Sequence, residues 1–109
     1  MSTKGPKKTP GRETGIETLE RVSTKKPRKF QVVMHNDDYT TQEFVVHILQ
    51  AYFRKDPTEA SHLMIKVHTT GQAIVGCYTR DVAETKVEVV TGYARDNGMP
   101  LMITSEPEP

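Results

Sequence analysis

The chain has one cysteine, Cys77, among its 109 residues. No internal disulfide is possible, and a lone thiol fits a reducing cytoplasm. Long apolar runs are missing too: no stretch approaches the ~20 residues that cross a bilayer. The opening residues Met1 to Pro6 carry nothing like the apolar segment of a secretory signal, so a cytoplasmic protein without membrane association is expected. Hydrophobic residues make up only 35 % of the sequence, little for a chain folded throughout. A folded part and a solvated tail are therefore expected.

Motifs for catalysis and metal binding are also scarce. The histidines His35, His47, His62 and His68 make no His-x-x-x-His pair, and no Cys-x-x-Cys exists. A closed zinc site needs four converging ligands, so neither metal nor cofactor is expected. Cys77 lies between Gly76 and Tyr78 with no cation adjacent in sequence, which points to inert core packing rather than a nucleophile. Neighbouring carboxylates such as Asp37 and Asp38 rarely converge on one atom for acid–base work. Gly71 and Gly76 stand alone and form no phosphate-binding loop. No catalytic residue is assigned.

Charge of one sign is concentrated at one end. Residues 1–29 hold nine of the fifteen Lys and Arg and three of the fourteen acids, a net of +6, and residues 30–109 carry a net of −5. A nucleic-acid-binding or ribosome-associated role would have to rest on the tail alone. The large apolar side chains of that tail are few, chiefly Ile16, Leu19 and Val22. Such a segment cannot offset its ordering entropy by burial. The expected organisation is a flexible basic extension over 1–28, a folded core over 29–105, and an acidic, proline-rich end over 106–109.

The folded part reads clearly. Lys29 to Met34 is β-branched and aromatic, a strand. Thr40 and Glu43 have capping-box spacing and open a helix with Phe44, Val45, Ile48, Leu49 and Tyr52 on one face. Asp56 and Pro57 open a second helix, with Ala60, Leu63, Met64 and Val67 inward and Gly71 as its stop. Ala73 to Tyr78 is a strand. Thr79 caps a third helix with Val82, Ala83, Val87, Val90, Tyr93 and Ala94 on its apolar face, ended by Asn97-Gly98. Leu101 to Thr104 is the last strand. This order predicts an α+β domain, one three-stranded sheet with three helices packed on it.

The junction Asn36-Asp37-Asp38 holds more acceptors than a strand-to-helix turn needs. On the second helix His68 ends the apolar stripe of Met64 and Val67. Two readings stand: a half-exposed histidine at a helix end, or an imidazole closing over an apolar hollow which, with the Asn36-Asp37 turn at its rim, would suit a ligand with an apolar body and a cationic head. The first residue of a peptide has that form, because its α-amino group is largely protonated near neutral pH. A small hydrolase using His68 and Asp37 would lack a nucleophile at a convincing spacing.

The residues Asn36-Asp37-Asp38-Tyr39-Thr40, Glu43-Phe44-Val45, Leu63-Met64 with Val67-His68, Val82 to Val87, Tyr93-Ala94-Arg95 and Pro100-Leu101 resemble the ClpS family. The resemblance runs from about Phe30 to Thr104. It implies a domain like the C-terminal domain of the ribosomal stalk protein, with three antiparallel strands. It also implies an adaptor, not an enzyme. Such an adaptor binds N-degron substrates by an N-terminal Phe, Tyr, Trp or Leu and delivers them to the unfoldase ClpA, or its relative ClpC, for degradation. By the same resemblance Asn36, Asp37 and His68 hold the substrate α-amino group. Thr40, Val45, Met64, Val67 and Leu101 line the side-chain pocket, with Gln42 at its entrance. Asp81 and Lys86 dock on the N-terminal domain of the unfoldase, and the tail serves delivery. A monomer is expected. Gln42 departs from the family, where methionine is common, and Thr41 stands where proline is common. A polar Gln42 should make a wetter rim and shift selectivity among Leu, Phe, Tyr and Trp. The rival reading is a stalk-like interaction domain without a pocket.

Overall fold

The computed structural model describes residues 28–109. The expected extension over 1–28 lies almost wholly outside them. The elements follow in the order β1 (Lys29–His35), α1 (Gln42–Phe53), α2 (Pro57–Thr70), β2 (Gln72–Thr79), α3 (Arg80–Asp96) and β3 (Met102–Pro107). The sheet has the order β2-β1-β3, and both pairings are antiparallel. This is the α+β arrangement the sequence predicts. β1 is central, and its Val32, Val33 and Met34 are all buried. Val32 and Met34 face the helices and join Ile48, Leu49, Val75 and Val90 in the core.

One irregularity of the sheet reverses an expectation. Val32 pairs with Gly76 but Val33 pairs with Ile74, so Val75 is an extra residue in β2. Such a bulge shifts the alternation of side chains by one. Ala73 and Val75 are buried, yet past the bulge it is Tyr78 that packs against the core, and Cys77 is exposed. Cys77 is therefore not a core residue. A Cβ on Gly76 would stand 2.6 Å from the Tyr78 ring carbon Cε2, so the ring would have to shift to admit one.

The helix boundaries carry further corrections. The cap of α1 is Thr41, not Thr40: the Phe44 N–H donates to its side-chain oxygen at 3.1 Å. Thr40 is engaged in the preceding loop instead. α1 ends on Arg54, which takes a left-handed conformation (φ 57°), a cost of about 1–2 kcal/mol for a residue with a Cβ. The Asp56 cap of α2 forms as expected, with the Glu59 N–H donating to it at 2.8 Å, and Gly71 closes the helix at φ 94°. On α3 the inward stripe is Ala83, Val87, Val90 and Ala94, while Val82 is 45 % exposed. Residue 82 is one step, about 100°, off the 83-87-90-94 row. Thr79 stands at the cap position without a side-chain cap bond. β3 extends past the expected Thr104: Pro107 pairs with Phe30, and the Glu108 N–H donates to the Lys29 carbonyl at 2.9 Å.

Lys86 ties two helices together. From α3 its ammonium donates to the Tyr52 carbonyl, in the last turn of α1, at 2.8 Å. It also lies over the rings of Phe53 and Tyr78, at 5.7 and 5.3 Å from their centroids. The last turn of α1 contains no basic residue of its own, so Lys86 supplies the cation that a helix C-terminus favours.

Candidate functional site

The loop from Asn36 to Thr41 joins β1 to α1, and Asp37 organises it. One carboxylate oxygen, Oδ1, accepts the N–H groups of Tyr39 (2.9 Å) and Thr40 (2.7 Å); the other, Oδ2, accepts the Thr40 hydroxyl (2.6 Å). Aspartate favours such local bonding to the backbone two or three residues on. Partial burial pushes the Asp37 pKa up, but the bonds from the Thr40 hydroxyl and the Thr40 and Tyr39 amides outweigh it, and the carboxyl lies below its ordinary value. Bonds to the charged form favour that form. A carboxylate oxygen accepts about two bonds. Oδ1 is filled by two amides, whereas Oδ2 has accepted one hydroxyl and retains acceptor capacity.

A second tie places the loop against α2. The Asn36 N–H donates to the carbonyl of Gly71, the cap residue of α2, at 2.9 Å. His68 stands in the last turn of that helix. The bond holds Asn36 near His68, although they stand 32 positions apart in the chain.

The result is a hollow of about 220 Å³. Its rim carries Asn36, Asp37, Asp38 and His68, and its walls Thr40, Gln42, Val45, Met64 and Val67. Val45 and Val67 are buried, Met64 is half-buried, and Asn36, Gln42 and His68 are exposed. The floor is apolar and the mouth bears acceptors and negative charge. An oxygen-rich rim of this kind can accept hydrogen bonds from a cation, and such charge-assisted bonds are the strong ones.

Of the residues singled out in the sequence, Asn36, Asp37, His68, Thr40, Gln42, Val45, Met64 and Val67 meet at this hollow. Leu101 does not line it. It is buried in the core and borders another hollow, between α3 and β3, with Thr91, Arg95 and Met99. Asp81 is exposed at the start of α3, and Lys86 is half-buried further along the same helix. Asp38 is an addition to the lining, and the loop-orienting work falls to Asp37. The Asp-x-x-Thr spacing of Asp37 and Thr40 was the available signal for that. Cys77, though exposed, is a poor nucleophile: partial burial first, then the neighbouring Glu108, push its pKa up. Among the described residues no helix is long and apolar enough to cross a membrane.

Fold and hollow together define a small α+β module with an apolar-floored hollow edged by acceptor side chains. The family described as "ATP-dependent Clp protease adaptor protein ClpS" matches residues 25–104. The ClpS adapter of Deinococcus radiodurans is 52 % identical over 99 residues, which cover 91 % of this chain and 88 % of that protein. That of Paracidovorax citrulli is 45 % identical over 98 % of this chain and 96 % of its own length. Among solved structures, Agrobacterium tumefaciens ClpS2 bound to L-phenylalaninamide superposes with a TM-score of 0.74 at 41 % identity, over 76 % of this chain and 100 % of that one. The chain belongs to the ClpS family, the adaptor proteins of the ATP-dependent Clp protease. It is an adaptor and not an enzyme.

Proposed function

We propose that the hollow holds the first residue of N-degron substrates and that the chain hands them to a Clp unfoldase. The observation that carries this reading is the ionised Asp37 carboxylate, with acceptor capacity left on Oδ2, at the mouth of an apolar-floored hollow beside Asn36 and His68. An α-ammonium donates three hydrogen bonds and finds acceptors from these three side chains. The side chain on the same carbon then enters between Val45, Met64 and Val67. Burying a Leu or Phe side chain there contributes about 2–3 kcal/mol. The ligand of the Agrobacterium protein, L-phenylalaninamide, combines a free α-amino group with an aromatic side chain and supports the same reading here. An acetylated or internal residue brings no ammonium and leaves the acceptors unpaired, a cost of about 1–3 kcal/mol.

The remaining parts of the reading follow from the family. Delivery is to the N-terminal domain of ClpA or ClpC, with Asp81, exposed at the start of α3, and Lys86, further along that helix, as the docking residues. The basic extension over 1–28 serves transfer to the unfoldase. The adaptor works as a cytoplasmic monomer.

The test is a peptide titration. Peptides starting with Phe, Tyr, Trp or Leu should bind, and their N-acetylated forms should bind at least tenfold more weakly. Equal affinity for free and acetylated peptides would overturn the reading.

A further inference from the structure

A second hollow, of about 380 Å³, lies beside the first. Its lining is Gln42, Glu43, Val46, His47, Gln50 and Met64. Gln42 and Met64 line both hollows, so these two side chains are the ridge between them. Gln42, Val46 and Gln50 recur every fourth residue along α1 and form one row on its surface. The second hollow therefore follows α1 away from the Asn36-Asp37 loop. Val46 and Met64 are half-buried and give it an apolar floor. The His47 ring is set by its Nε2, 3.1 Å from the Tyr93 hydroxyl, and by its tilted packing on Phe44 and Tyr93. Glu43 is the single charged residue among the six that line this hollow, and it is exposed.

The period of an extended peptide decides which substrate residue can reach it. Successive side chains point to opposite sides, so the first and third share a side, about 6.6–6.8 Å apart. One turn of α1, the step from Gln42 to Val46, is about 5.4–6 Å. With the first side chain in the first hollow and the peptide running along α1, the third points at the same surface about one helical turn further along, and the second points away. Resting on the first-residue reading above, we propose that the hollow over α1 receives the side chain of the substrate's third residue and selects a long basic one, Lys or Arg. The aliphatic stem lies on Val46 and Met64 while the cationic head reaches the Glu43 carboxylate, the arrangement that long basic side chains adopt at apolar surfaces with a wet edge. A glutamate at that position meets Glu43 with like charge.

The experiment uses the full chain and peptides of the form Phe-Ala-X and Phe-X-Ala on a common neutral tail, with X as Ala, Lys or Glu. Each is measured free and acetylated, by fluorescence anisotropy at low salt. Lys over Glu at the third position should be favoured about threefold to tenfold, the range for exchanging one exposed attraction for a repulsion. At the second position the same exchange should change affinity less than twofold. That position is the control for the general negative charge of residues 30–109, which favours Lys anywhere. Glu43→Gln should bring the third-position ratio towards one, and Glu43→Lys should invert it. If Phe-Ala-Ala binds in its free form only, but the third-position ratio is one, equals that at the second position, or ignores the Glu43 variants, the third-residue site is overturned and first-residue recognition stands. If free and acetylated Phe-Ala-Ala bind alike, first-residue recognition fails and the third-residue site falls with it.

Discussion

Thr40 holds Asp37 from two directions: its hydroxyl donates to Oδ2 at 2.6 Å and its backbone N–H to Oδ1 at 2.7 Å. The residue that shapes the loop is thus also the residue with acceptor capacity facing the hollow. Asp37→Ala should weaken binding of a Phe-starting peptide at least tenfold, because a charge-assisted bond and the loop geometry go together. Thr40→Val keeps the carboxylate and removes one bond, so its loss should be smaller. Calorimetric titration of both variants checks the order.

The same bonds make stability depend on acid. The folded-state pKa of Asp37 is lowered from the ordinary 3.8. The stabilisation is therefore fully present above that value and is lost as pH falls through the lower folded-state pKa. Asp37→Asn should be less stable than the parent at neutral pH, and the difference should shrink below about pH 4. Urea denaturation of both proteins from pH 7 to pH 2.5 measures it; a constant difference would contradict the assignment.

Lys86 is held by the Tyr52 carbonyl and two aromatic rings, so a change there should act on stability as well as on docking. Lys86→Ala should cost about 1–2 kcal/mol in unfolding free energy. Asp81→Ala, at an exposed position, should stay within about 0.5 kcal/mol of the parent. Measuring unfoldase binding and denaturation side by side separates the two effects.

Gly76 leaves the space that the ring of Tyr78 occupies. Gly76→Ala forces a methyl group into that ring and should destabilise by about 1–3 kcal/mol. Tyr78→Ala removes the obstacle, so the double variant should lose less than the sum of the singles. A double-mutant cycle from thermal unfolding reads the coupling.

Gln42 stands on the ridge shared by both hollows and is exposed. Replacing its amide with an apolar side chain should dry the mouth of the first hollow. Gln42→Met should change the ranking of Leu-, Phe-, Tyr- and Trp-starting peptides and reduce any binding of Ile-starting ones. Identical preferences in the two proteins would show that the ridge does not select.

The order of elements, the Asp56 and Gly71 ends of α2 and the inward faces of α1 and α2 were legible in the sequence. These features depend on residues within about four positions of one another, where periodicity and capping chemistry operate. Part of the first hollow was legible as well, since Asn36-Asp37 exceeds the needs of a turn and His68 ends the apolar stripe of Met64 and Val67; Thr40, Gln42 and Val45 were expected there only from the family resemblance. What local pattern could not supply was decided by distant contacts. The bulge at Val75 turned Cys77 outward, and no property of residues 73–78 alone places it, because a bulge is defined by pairing with β1. Thr41 took the cap from Thr40 because the Thr40 hydroxyl is committed to Asp37. The Asn36 bond to Gly71 brings the two halves of the hollow together, and the Lys86 bond to Tyr52 crosses 34 positions of sequence. Sequence by itself determined which acceptor side chains the β1–α1 loop carries. Tertiary structure alone decided that Asp37 both builds the loop and borders the hollow, and that Leu101 packs into the core outside the hollow, because each depends on which surfaces meet when sheet and helices close on one another.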